Sequence, residues 1–344
     1  MAFVLGFAGS AAKLFSKGRQ PAGFPPFRAS GWVVYWDKVN SLQAARDHGD
    51  KLEEISIFAA DFDESYQLTV HPEAAEALQE LKGTSLIHRP RLLMSVVNDV
   101  KAPAGSFLKN PDCIHTILSS REKRSAHIEQ LLQLSADTDG IEIDYESLYL
   151  KDRDAFSFFI RDLADKLHQR GQWLSVDVEP KTADVLKDRE GAMDWKALGQ
   201  YADNVKVMAY LYHYPSGDPG PLAPPDWVVE IARFAVSQIP AEKLSIALTM
   251  EGCDWGKQEH GKSLNYLKIM DLAEKYNAVS KRDKDSATPY FHYTENGIDH
   301  QVWFEDKESL TEKVRRLQET GILHIALWYL GSGDPAFLKG LTLP

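Results

Sequence analysis

The sequence predicts an α/β fold: a (β/α)8 TIM barrel with a small α+β insertion between strands 7 and 8. Three observations predict it. Eight short β-rich runs recur along the 344 residues. Most are followed by a helical stretch with apolar residues at three- and four-residue spacing, the rhythm of a parallel sheet. No Gly-x-Gly-x-x-Gly or Gly-x-x-x-x-Gly-Lys-[Ser/Thr] loop follows any run, so an open nucleotide-binding sheet lacks its phosphate loop.

In order, the runs are GWVVYW (31–36), EISIFAA (54–60), RLLMSVV (91–97), GIEIDY (140–145), WLSVDV (173–178), NVKVMAYLY (204–212), KLSIAL (243–248) and HIALWYL (324–330). The clearest helix is AFSFFIRDLADKLHQRG (155–171), where Phe156, Phe159, Leu163 and Leu167 share a face and Gly171 closes the C-terminus. A second, DWVVEIARFAVSQI (226–239), opens on Asp226 as N-cap. Residues 249–323, between runs seven and eight, far exceed a usual loop of about 4–6 residues. They hold a helical piece, SLNYLKIMDLAEKY (263–276), and two β-rich arms in TPYFHYTENGIDHQVWF (288–304). The Asn296-Gly297 tip between those arms reads as a hairpin turn. The expected organisation is a leader over 1–29, a barrel over 30–344 and an insertion over 256–304 walling one side of the barrel mouth.

The leader has a short apolar core ending in small residues but no basic stretch before it. Signal peptide and disordered leader both stay open. A composition of 44% hydrophobic and 26% charged residues is ordinary for a globular chain. The net charge of -11 opposes nucleic acid or anionic membrane as the main partner, and does not oppose a neutral glycan. No apolar run reaches the roughly 18 residues of a membrane span. Cys113 and Cys253 form no Cys-x-x-Cys pair; one disulfide and two buried thiols are both compatible with their positions. The histidines are scattered without a zinc-ligand spacing, so no metal is expected.

One stretch breaks the apolar pattern of a buried strand: DGIEIDYES (139–147). Strand side chains alternate between faces, so Glu142, Asp144 and Glu146 share one face and Ile141, Ile143 and Tyr145 the other. In a barrel the acids then face the interior, about 6.5–7 Å apart. Three carboxylates in a partly dry interior cannot all ionise cheaply, so burial and like charge keep a proton in the row. Glu146 is nearest the strand's C-terminal end, where barrel enzymes carry out their chemistry, and is placed to act as a general acid.

Asp139, Glu142, Asp144 and Glu146 resemble the Asp-x-x-Asp-x-Asp-x-Glu signature of family 18 glycoside hydrolases, the chitinases and related endo-N-acetylglucosaminidases. GWVVYWD (31–37) is similar to the family's first strand and LSVDVEPK (174–181) to its fifth. Met208-Ala209-Tyr210 resembles the Met-x-Tyr of its sixth, and Trp328 the tryptophan that closes its eighth. Residues 288–314 are especially similar to the bacterial spore-germination and cortex-lytic N-acetylglucosaminidase branch.

The resemblance implies a hydrolase of β-linked N-acetylglucosamine polymers, peptidoglycan or a related glycan, that needs no cofactor and works by substrate assistance. Glu146 would protonate the glycosidic oxygen. The sugar's 2-acetamido carbonyl would then attack the anomeric carbon, giving an oxazolinium ion and retention. Asp144 would accept the acetamido N–H, Tyr210 would donate to the acetamido oxygen, and Trp328 would floor the subsite. Asp139 is expected to shape the turn into the strand or, with Glu142, to support the acid row. Trp36, Met208, Tyr212, Asp177, Glu179 and Glu251 are the further candidates for lining the cleft, with His213, Tyr214 and Trp227 as stacking walls. Asp177 and Glu179 are expected to select a substrate group or to be solvated at the rim. A monomer acting on a glycan outside the cytoplasm, secreted or associated with wall or spore, is expected, with a cytoplasmic site as the alternative. Three departures stand out: Glu142 for the signature's second Asp, Leu211 where relatives commonly carry an acid, and Glu251 where many have Tyr. The last two leave open a non-catalytic glycan-binding barrel. A chitinase or N-glycan endoglycosidase also stays open.

Overall fold

The computed structural model describes residues 27–341 except 104, 188 and 258, so the leader up to residue 26 lies outside the described residues. Eight strands form the barrel: β1 (Arg28–Val33), β2 (Glu54–Asp63), β3 (Arg91–Ala102), β4 (Gly140–Asp144), β5 (Trp173–Val178), β6 (Asn204–Met208), β7 (Leu244–Thr249) and β8 (His324–Trp328). Each runs parallel to both neighbours, and β8 pairs with β1, so the sheet closes. That closure explains why β1 starts at Arg28, inside the expected leader: residues 28–31 pair with 324–327 of β8.

Ile141, Ile143 and Tyr145 are buried on the helix side of β4, in one core with Phe156, Phe159, Leu163 and Leu167. Those four come from the helix Arg153–His168. Burial of each such side chain contributes roughly 1.5–3 kcal/mol. Past the helix, Gly171 takes a left-handed φ of 68°, the turn a glycine allows. The other expected helix runs Pro225–Gln238, and Asp226 is not its cap. Pro225 occupies the first turn, the Pro224 N-cap makes no side-chain hydrogen bond, and Asp226 instead pairs with Arg316 at 2.5 Å.

The segment between β7 and β8 folds into a five-stranded sheet with strand order 262–264, 252–256, 298–304, 289–295, 281–282, backed by the helix Tyr266–Lys275. Asn296 and Gly297 have φ of 52° and 79° at the hairpin tip, the positive values a two-residue turn requires. The sheet begins at Gly252, ahead of the expected boundary at 256, because 252–256 pairs along 300–304. Cys113 and Cys253 are both buried and unpaired. No helix among the described residues is long and apolar enough to cross a membrane.

Candidate active site

The acid row begins inside the barrel and ends at its mouth. Glu142 and Asp144 are buried, and β4 ends at Asp144, so Glu146 stands just beyond the strand on the C-terminal side. Asn98 of β3 holds it there. The Asn98 side chain accepts from the Glu146 amide at 2.9 Å and donates to the Glu146 carbonyl at 2.9 Å. The backbone under the carboxyl is thus clamped from the neighbouring strand. Burial pushes the Glu146 carboxyl up, while the Lys109 ammonium, 2.5 Å from Oε2, pulls it down. Asp144 is pushed well above the usual carboxylate range by burial and then by Glu146. Its Oδ1 has no hydrogen-bond partner among the described residues.

Deeper in, the row meets a cation. Glu142 is taken up by Lys206, a wholly buried lysine of β6 that also reaches Glu54 at 2.6 Å. Ser56 Oγ donates to Glu142 at 2.8 Å, and the Trp32 indole N–H donates to its other oxygen. Glu142 is therefore an interior counter-ion. Asp177, across the β5–β6 ladder from Lys206, corrects another expectation. It is 1% exposed, so it neither meets solvent at the rim nor lines the cleft. Burial, then Glu142 and Asp144, push its carboxyl well up, and neither oxygen has a partner among the described residues.

Above this layer opens a cleft of about 510 Å³. Trp328, Tyr210, Met208 and Phe58 contribute apolar and aromatic surface to it. Trp36, half exposed, sits edge-on to Phe58 with ring centroids 5.0 Å apart. Tyr210 and Trp328 lie near-parallel at 6.5 Å. Asp144, Glu146 and Glu179 supply carboxylates, and Glu179 accepts from the Ser147 amide at 3.2 Å. The Tyr210 hydroxyl is pushed well up by burial and by the negative field of Asp144 and Glu146, so it stays a donor. The structure thus brings together Glu146, Asp144, Tyr210, Trp328, Met208, Glu179 and Trp36. Tyr35, Asn98, Asp99, Leu108, Lys109 and Leu211 also line the cleft. Of these, Asn98 and Lys109 touch Glu146 and were not singled out in the sequence. Nothing local marks either, since both act on a residue from another strand.

Three other candidates stand outside the cleft. Asp139 lies at the opposite, N-terminal end of β4, where it accepts from the Leu92 amide at 2.8 Å and meets Arg89. It fastens β4 to β3 and is not part of the row. Tyr212 is exposed and packs on Trp227 at 5.2 Å and His213 at 5.1 Å, away from the cleft floor. Glu251 is held through its backbone, its N–H donating to Thr249 Oγ1 at 3.1 Å and its carbonyl accepting from the Glu305 amide at 3.2 Å, and it does not line the cleft.

Burial raises the Glu251 carboxyl from its ordinary 4.5 to about 7. A carboxyl raised in the folded state stabilises the fold below its unfolded value, and that contribution is lost as pH rises through the folded value. Glu251→Gln cannot ionise. The drop in unfolding free energy from pH 5 to pH 8 is therefore expected to be smaller in the variant by roughly 2–3 kcal/mol. Urea unfolding at the two pH values measures it; equal drops in both proteins would refute the assignment.

A closed parallel barrel with buried acids and an aromatic floor at its C-terminal mouth is the layout of a barrel glycosidase. The chain belongs to the glycosyl hydrolases family 18, whose family model matches residues 31–333. It is 33% identical over 241 residues to the cortical fragment-lytic enzyme of Bacillus anthracis, covering 67% of this chain and 55% of that protein. The chain thus spans about half the length of that relative. Among solved structures it is similar to the Bacillus cereus spore cortex-lytic enzyme SleL, with TM-score 0.82 and 26% identity, covering 93% of this chain and 74% of that one. It is also similar to a chitinase from Chromobacterium violaceum, with TM-score 0.81 and 25% identity, covering 92% and 98%.

Proposed function

We propose that this protein is a retaining endo-β-N-acetylglucosaminidase that cleaves peptidoglycan or a related N-acetylglucosamine polymer outside the cytoplasm. The observation that carries the reading is Glu146: a mostly buried carboxyl, raised by burial, at the edge of an aromatic cleft with Asp144 directly before it in the row. A carboxyl held protonated can deliver its proton to a glycosidic oxygen. The second acid of such a pair ordinarily attacks the sugar, but the 2-acetamido carbonyl can do so instead. The free Oδ1 of Asp144 suits a role as acceptor for the acetamido N–H, offsetting the charge of an oxazolinium ion. Tyr210 has a hydroxyl to offer the acetamido oxygen, and Trp328 a flat face for the ring. Water then opens the ion with Glu146 as base, and the anomeric configuration is retained.

The names of the Bacillus relatives favour a cortex or wall glycan; the Chromobacterium likeness favours chitin as a second reading. Incubating the protein with purified peptidoglycan and with chitin oligosaccharides separates them. The expected products carry N-acetylglucosamine at the new reducing end, released first as the β-anomer by NMR. Release of the α-anomer would sink the substrate-assisted route. Absence of any N-acetylglucosaminyl cleavage would sink the hydrolase reading.

A further inference from the structure

Asp177 is a buried acid that the chemistry above leaves unused. Neither of its carboxyl oxygens has a hydrogen-bond partner among the described residues. Across the β5–β6 ladder it stands opposite Lys206, yet that ammonium has no donor left for it. An ammonium has three N–H groups, and those of Lys206 meet Glu142, Glu54 at 2.6 Å and Ser56 Oγ at 3.1 Å. A carboxylate buried without a donor is far costlier than the neutral acid, so Asp177 holds a proton. The groups that face it act in the same sense. Burial raises its carboxyl, Glu142 and Asp144 of β4 raise it further, Lys206 of β6 opposes, and Glu54 of β2 adds to the rise. The Tyr210 hydroxyl past β6 completes the titratable groups around it.

A protonated carboxyl carries an O–H, and a buried O–H needs an acceptor. The strand register supplies one. β4 and β5 pair from Gly140 with Trp173 to Ile143 with Val176, and the next step along brings Asp144 beside Asp177. Both side chains fall on the inner face of the barrel. Adjacent strands lie about 4.8 Å apart, a gap that two aspartate side chains can bridge. Asp144 Oδ1 is itself without a partner among the described residues. A donor lacking an acceptor thus stands beside an acceptor lacking a donor. Glu142 is a poorer acceptor for Asp177. It lies one inward-facing level lower, opposite Ser175, and both its oxygens already accept, one from Trp32 and the other from Ser56 and Lys206. The unpartnered hydroxyls of Ser95 and Ser175 lie at that lower level too.

We propose that Asp177 is a positioning residue: its O–H donates to Asp144 Oδ1 from inside the barrel, and so holds Asp144 ionised and turned toward the acetamido group. A carboxylate oxygen can accept from two directions, so this bond leaves Oδ1 open to the acetamido N–H. A donor to the charged form favours ionisation, which offsets part of what burial and Glu146 do to Asp144. The inference rests on the hydrolase reading above.

The pH profile of kcat/KM on a chitin or peptidoglycan oligosaccharide tests it. The acid limb reports loss of the Asp144 carboxylate, and the alkaline limb reports loss of the Glu146 proton. Asp177→Leu has a similar shape and no donor. It is expected to move the acid limb up by about one pH unit, and to lower kcat about tenfold on that limb with KM little changed. Asp177→Asn keeps an N–H donor and should return the limb close to its wild-type position. The infrared difference between wild type and Asp177→Asn at pH 7 should show the C=O band of a protonated carboxyl, a readout that does not depend on the Leu variant folding. Urea unfolding checks the fold of both variants. Absence of that band, equal shifts in the two variants, or a folded Asp177→Leu with its acid limb in place would each overturn the inference and leave the hydrolase reading intact. A wild type that cuts no N-acetylglucosaminyl linkage brings down both.

Discussion

Replacing Glu146 by Gln is expected to lower kcat by about 10²–10⁴-fold and to leave the fold in place. The carboxamide has nearly the shape of the acid but no proton that it can deliver to a leaving oxygen. The backbone beneath it is held by two hydrogen bonds to Asn98, which do not depend on the Glu146 side chain. The sugar-facing surface of Trp328, Tyr210 and Met208 is untouched, so KM should change little. Turnover in wild type should fall as pH rises through the Glu146 titration, because the acid form does the work. Reducing-end assays and mass spectrometry of peptidoglycan and chitin digests measure the loss. If both proteins bind glycan and neither cuts it, the barrel is a binding module, and Leu211 and Glu251 become the departures to revert. If both cut equally, Glu146 is not the acid.

The barrel and the row on β4 were legible because they are periodic. Strand alternation assigns Glu142 and Asp144 to one face whatever the rest of the chain does. The partners of that row were not legible, because closure of the barrel supplies them. Lys206 lies 64 positions from Glu142 in sequence, and only the ring of strands brings them together. A lysine inside NVKVM was the available signal, a charge in a run otherwise fit for burial. Asp177 was misread for a related reason. Its nearness to the end of β5 suggested a rim, yet its side chain turns inward at the level of Lys206, among like charges. Glu251 was placed in the cleft because it stands where many relatives carry Tyr. The insertion sheet starts at the next residue, and the Glu251 carbonyl accepts from the Glu305 amide just past that sheet.

The largest stability effect should come from that hidden lysine. Lys206→Met is expected to cost about 3–5 kcal/mol at neutral pH, the range for stranding a buried charge. Methionine fits the volume and the apolar stem, so the cavity contribution is small and the loss is electrostatic. In wild type the ammonium meets Glu142, Glu54 and, at 3.1 Å, Ser56 Oγ, and lies 4.6 Å from the centre of the Trp32 ring. Burial already raises Glu54 against the pull of Lys206. Without the lysine, Glu54 is driven to hold a proton in the folded state. A carboxyl raised on folding stabilises at low pH and ceases to as pH rises, so the deficit of the variant should shrink on acidification from pH 7 to pH 5. Adding Glu142→Gln and Glu54→Gln should recover much of the loss at pH 7, since no ion is then left unpaired. Urea unfolding of the single and triple variants decides it. A Lys206→Met protein as stable as wild type at pH 7 would mean that the carboxyls beneath the catalytic row are already neutral. The lysine would then be a donor to them, and no counter-ion.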